Sequence, residues 1–180
     1  PTSNQQEQIL FGATRQGGAS VFPVGKAVSA KYASEIAYLS GAGGHSFEAL
    51  DKLMAGVRCQ LRIGVGNYHH HLQGYSHRDE LESFFKLFWI QTQQASFKES
   101  AFARATELHL NILRNQYANP EVCFRHQFAK ILWGEHPLHQ PSSVEQIDCI
   151  NLGDAQDCYQ KLWRSAAGMS FVMVGPFEPA

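Results

Sequence analysis

VRCQLRIGVGNYHHHLQGY, residues 57–75, holds two short alternating runs on either side of Gly66-Asn67. Such a dipeptide between strand-forming segments marks a tight hairpin, so two antiparallel strands are expected here. Strand side chains alternate, which puts His69 and His71 on one face and His70 on the other. Two imidazoles at that spacing suit zinc, but a site needs further ligands, and only His77 and Asp79 lie nearby in sequence. A metal cluster and a polar strand face therefore both stand open at this point.

Working outward, EQILFGAT (7–14) reads as a strand ending at RQGGAS. Val28 to Leu39 reads as a buried helix through Ala30, Ala33, Ile36 and Ala37, closed by Gly41. Ser46 is placed to cap a second helix with Phe47, Leu50, Leu53 and Met54 inward, ended by Gly56. After the hairpin, Ser76 and Asp79 form a capping-box pattern. Leu81, Phe84, Phe85, Phe88 and Trp89 then recur at helical spacing as a predicted core face. A long helix over 97–116 is expected to bury Phe102, Ala105, Leu108, Ile112 and Leu113. Asn119-Pro120-Glu121 opens another, running through Phe124, Phe128, Ile131 and Leu132 to Gly134. Ser142 with Glu145 and Asn151 with Asp154 read as further starts, and MSFVMVG (169–175) as a closing strand. The expected order is β-α-α-β-β-α-α-α-α-β, an α+β fold with helices over one face of a mostly antiparallel sheet.

The 180 residues fit one domain over 1–180; 44% are hydrophobic and 17% charged, the balance of a folded soluble chain. A formal net charge of −1 gives no reason to expect nucleic acid or an anionic membrane as partner. The longest apolar cluster, FFKLFWI, is far short of a bilayer span. No signal peptide is apparent, and the polar start without methionine suggests a fragment or processed product. Cys59, Cys123, Cys149 and Cys158 lack C-x-x-C spacing and read as buried or free thiols, with a Cys149–Cys158 link as the alternative in an oxidising compartment.

Other motifs are bland. GAGG (41–44) lacks the continuation of a phosphate loop and reads as a turn between helices. His136 and His139 sit beside Pro137 and Pro141, the setting of a rigid turn. No serine elbow occurs and no cysteine has a nucleophile context. YASEI, Tyr32 to Ile36, has the shape of the inverted zinc-peptidase motif H-x-x-E-H with both histidines replaced: Glu35 stands at the base position, Tyr32 and Ile36 at the ligand positions.

Four stretches in order carry a resemblance: FGATRQGGASVFP (11–23), SAKYASEIAYLSGAGGHSFEALDKLMAG (29–56), GYSHRDELESFFKLFWIQTQQASFKESAF (74–102) and the segment from NPEVC to VMVGPF (119–177). Over roughly residues 7–177 the chain resembles one domain of the insulinase/pitrilysin family of zinc metallopeptidases, the inverzincins. The resemblance implies a single insulinase or mitochondrial-processing-peptidase-type domain, a repeat of the non-catalytic kind from the C-terminal half of a bacterial zinc protease. It implies zinc in the longer enzyme and none on this segment, because tyrosine and isoleucine cannot replace two zinc-bound imidazoles. Glu35 is then expected to make a structural hydrogen bond. The implied partners are the other domains of the same peptidase and unstructured peptide substrates, and the implied location is the periplasm. Tyr68, His69, His70 and His71 are the candidate peptide contacts, by strand addition at residues 68–74. The alternative function is a scaffold subunit of a larger complex, without peptidase activity.

Overall fold

Burial with period two runs along the strand His69–His77 (β3): His70, Leu72 and Ser76 are buried, while His69, Gln73 and Tyr75 are exposed. That alternation sets one covered and one open face for the whole sheet. A computed structural model of the chain describes residues 7–116, 119–134, 136, 138–139 and 142–176. Pro137 and Pro141, on which the rigid-turn reading rests, lie outside the described residues.

β3 pairs antiparallel with Cys59–Val65 (β2) and with Gln8–Gln16 (β1); β1 pairs antiparallel with Ser170–Val174 (β4). The order is β2-β3-β1-β4, so β2 and β4 are the edges and β3 is interior. The helices are Val24–Ser40 (α1), Phe47–Met54 (α2), Leu81–Gln93 (α3), Glu99–Gln116 (α4), Pro120–Trp133 (α5), Val144–Asp148 (α6) and Leu152–Trp163 (α7). Two helices follow α5, one more than the expected order; α6 has only five residues and is capped by Ser143, which accepts the Gln146 N–H at 3.3 Å, one residue later than the expected Ser142, while Asn151 caps α7 as expected. The α+β architecture expected from the sequence is the one observed.

The core lies between the covered sheet face and α1, α3, α4 and α7. Alanine in α1 lets α7 approach closely: Ala27, Ala30, Ala33 and Ala37 are all buried, as is Ala155 opposite. Ser29 Oγ accepts the Asn151 N–H at 3.0 Å and ties the start of α7 to α1. Phe84 in α3 stacks on Phe11 of β1 at 4.2 Å. Gly74, the cross-strand partner of Phe11, makes room for that ring; a Cβ there would lie 2.9 Å from Phe84 Cε2.

The hairpin tip is held from outside. Gly17, Ala19 and Ser20 donate their N–H groups to the carbonyls of Tyr68, Gly66 and Asn67 at 2.7–2.9 Å. Gly18 has φ +59°, and a Cβ there would come within 2.4 Å of the Gly66 carbonyl, so this contact requires glycine.

Several inward faces differ from expectation. In α3, Phe84 and Leu87 are buried and Phe88 is half-buried, but Phe85 is 49% exposed and Trp89 is exposed too. The sequence stripe was too wide for a helix lying on a single sheet. Ser76 is buried and donates to the His77 carbonyl, while His77 Nδ1 accepts the Asp79 N–H, so the capping is shifted by one residue. α2 buries no residue, with Leu53 outermost; Ser46 still caps it, accepting from Ala49 N–H at 3.2 Å. In α4, Ala101, Ala105 and Leu113 are buried, whereas Leu108 and Ile112 face outward. α5 has its expected Asn119 cap but no buried residue, and Ile131 is 84% exposed. Its apolar residues were expected to pack; no described element covers them.

Candidate functional site

A groove of about 800 Å3 runs between α1 and the free edge of β2. α1 contributes Lys31, Ser34, Glu35 and Tyr38; β2 contributes Gln60 through Val65; His71 reaches in from the open face. The alternation of an antiparallel ladder fixes which β2 backbone groups are free. Gly66 N–H bonds the His69 carbonyl and His77 N–H the Arg58 carbonyl, so the even-numbered β2 residues pair with β3. Leu61, Ile63 and Val65 therefore turn their N–H and C=O groups to the free edge, into the groove.

Of the degenerate motif, Glu35 lines this groove. Glu35 makes a 2.6 Å hydrogen-bonded ion pair with His109 Nε2 of α4. Tyr32 lies edge-on to the His109 ring at 4.6 Å and its hydroxyl bonds Ser142 at 3.4 Å. Ile36 is 0% exposed, in the core. Glu35 thus makes the structural bond expected of it, and the two ligand positions hold an aromatic ring and a buried aliphatic. These side chains do not fit a zinc ion, since neither supplies a nitrogen, sulfur or carboxylate donor. No group of three or more His, Cys, Asp or Glu suited to a metal occurs among the described residues.

Of the histidine cluster, His69 and His71 share the open face with ring centroids 5.6 Å apart. His71 lies over Gly64, where a Cβ would be 2.6 Å from its Cε1. Burial, then His69, lowers the His71 pKa from its ordinary value. His70 points the other way, edge-on to Trp163 at 5.1 Å. Burial holds its pKa down, followed by Arg15, His69 and His71, with the Leu162 carbonyl opposing. His77 does not join the cluster: it lies six residues along β3 from His71, about 20 Å at strand rise. Its Nε2 pairs with Glu7 at 2.6 Å, and its Nδ1 takes the Arg58 guanidinium at 3.1 Å. Tyr68 bonds His139 Nε2 at 2.8 Å, and His139 stacks on Trp133 at 4.1 Å, so the β2–β3 turn meets the segment that follows α5.

Strand addition at residues 68–74 does not survive the topology. β3 is bonded on both sides, and the strand with a free edge is β2. Sequence reasoning missed the groove's other members Lys31, Ser34 and Arg62, and His109 as the partner of Glu35. Strand order depends on long-range pairing, and a 74-residue separation between Glu35 and His109 leaves no local signal.

No protein-family model matches the chain, and no curated protein matches it significantly. Solved structures do. The inactive domain of a peptidase M16 from Pseudomonas fluorescens superposes with a TM-score of 0.80 at 19% identity, covering 98% of this chain and 43% of that one. The chain has the fold of a peptidase M16 domain. The periplasmic protease PqqL of Escherichia coli gives 0.77 at 18% identity, over 98% of this chain and 19% of that one. A mutant of the ferredoxin protease FusC, in complex with Arabidopsis ferredoxin, gives 0.75 at 16%, over 97% and 19%. The chain thus spans between about a fifth and less than half of these neighbours' lengths.

Proposed function

We propose that this domain is a non-catalytic repeat of a zinc metalloendopeptidase, forming chamber wall and holding unstructured peptide along β2 while another domain of the enzyme carries zinc and hydrolyses. The observation that carries the reading is a groove with a free strand edge beside a motif helix that cannot bind metal. Hydrolysis by such enzymes needs a metal-activated water and a substrate held in register across it. This domain's residues serve only the second requirement. Backbone pairing to Leu61, Ile63 and Val65 would hold a peptide largely without regard to its sequence.

The other domains of the same peptidase are the proposed partners, supported by the uncovered apolar residues of α5 and of β4, where Phe171 to Val174 are all exposed. A periplasmic location is proposed on the likeness to PqqL; no helix among the described residues is long and apolar enough to cross a membrane.

The test compares the longer protein, that protein lacking this segment, and the chain alone on unstructured peptides. The expected result is activity in the first only. Chelator-resistant cleavage by the chain alone would overturn the reading. Full activity after deletion would favour the scaffold role instead.

A further inference from the structure

The charges on the walls of the groove do not balance. Lys31, half-buried on α1, donates to the Leu138 carbonyl at 2.9 Å and has no carboxylate partner among the described residues. Arg62, exposed on β2, makes no hydrogen bond or ion pair among them. The one carboxylate lining the groove, Glu35, is already taken by His109. Beside it Ser34 is buried to 8% exposure, and its hydroxyl has no hydrogen-bond partner. A buried donor left unpaired is costly, and two unpaired cations flanking it suit an anionic ligand group.

The sheet geometry places these groups on opposite sides of an added strand. Lys31 and Ser34 stand on α1, over the covered face. Arg62 pairs in register with Gln73 and shares its open face with His71. Successive residues of an extended peptide point to opposite faces.

We infer that the groove selects acidic peptide segments, in which carboxylate side chains an odd number of residues apart reach Lys31 and Ser34 on one side and Arg62 on the other. The inference rests on the peptide-holding role proposed above and names the class of peptide held. Each half-exposed ion pair contributes modestly, so the two together raise affinity by about 3- to 10-fold over the uncharged peptide.

The experiment measures fluorescence anisotropy of the full chain with labelled extended peptides that differ only at two positions, bearing Glu, Gln or Lys. A further peptide carries its two Glu at even spacing. The expected order is odd-spaced Glu tightest, then even-spaced Glu, then Gln, then Lys, with the gaps narrowing at high salt. Arg62→Gln and Lys31→Gln are each expected to reduce the Glu preference, and Arg62→Glu to reverse it at the open-face position. Circular dichroism checks that the variants fold, and Arg62 is exposed enough for its substitutions to be tolerated. Equal affinity for Glu and Gln peptides, or a preference untouched by all three variants, would overturn acidic selection while leaving peptide holding intact. Failure of every peptide to bind would overturn both.

Discussion

Replacing Phe84 by alanine removes the largest fully buried side chain of the sheet–helix interface. Phe84 is 1% exposed and stacked on Phe11, and it lies against the bare backbone of Gly74. A glycine has no side chain to swing into the space, so the cavity would stay largely open. The loss belongs in the range for buried phenylalanine, about 3–5 kcal/mol. For a chain of this size that lowers the melting temperature by about 10 °C, at about 2–4 °C per kcal/mol. Phe85→Ala is the internal control. Its ring is 49% exposed and meets Phe11 only edge-on at 5.6 Å, so about 1 kcal/mol is expected. Urea unfolding of both variants, compared by midpoint at unchanged slope, reads the difference. Equal losses at the two positions would mean that α3 is rotated about its axis, and would refute this account of the core.

The chain exchanged into metal-free buffer is expected to carry far less than one zinc per chain by elemental analysis. A full equivalent, lost in His69→Ala or His71→Ala, would restore the metal reading of the cluster. Stability is expected to fall on acidification below about pH 6.5. There the unfolded chain protonates His70 and His71 at their ordinary value while burial keeps the folded pKa values lower, so the contribution is complete above 6.5 and lost as pH drops towards the folded values. His70→Gln should flatten that slope in urea melts at several pH values; an identical slope would exclude His70 as a source. Gly64→Val is expected to push the His71 ring off the strand and raise its pKa towards 6.5, as followed by NMR titration. An unchanged titration curve would contradict the packing of His71 over Gly64.

Much of the fold was legible because its signals are local. Asn119-Pro120-Glu121 does cap α5, with Asn119 Oδ1 accepting the Glu121 N–H at 2.9 Å, and Gly66-Asn67 does join two paired strands. Ser46 and Asn151 cap as their spacing implied. Which side of each helix is buried was less legible. Phe85, Trp89, Leu108, Ile112 and the whole apolar side of α5 look like core in sequence but face outward, because periodicity shows that a helix is amphipathic and not what covers it. YASEI told the fate of the motif helix, and Ile36 does lie in the core. The groove itself was hidden, since it exists only because β2 ends the sheet and its free edge lies beside α1. Which thiols are covered is likewise a matter of three-dimensional placement: Cys149 is exposed, while burial pushes the Cys158 thiol up to about 11.

Hydrogen exchange at the β2 edge tests the central claim most directly. The amides of Leu61, Ile63 and Val65 are followed with and without a saturating unstructured peptide, and the peptide is recovered and weighed by mass spectrometry. The account predicts slowed exchange at these three amides, little change in the doubly paired β3, and an intact peptide. Unchanged exchange at all three with peptide bound, or cleavage that persists in chelator, would contradict it.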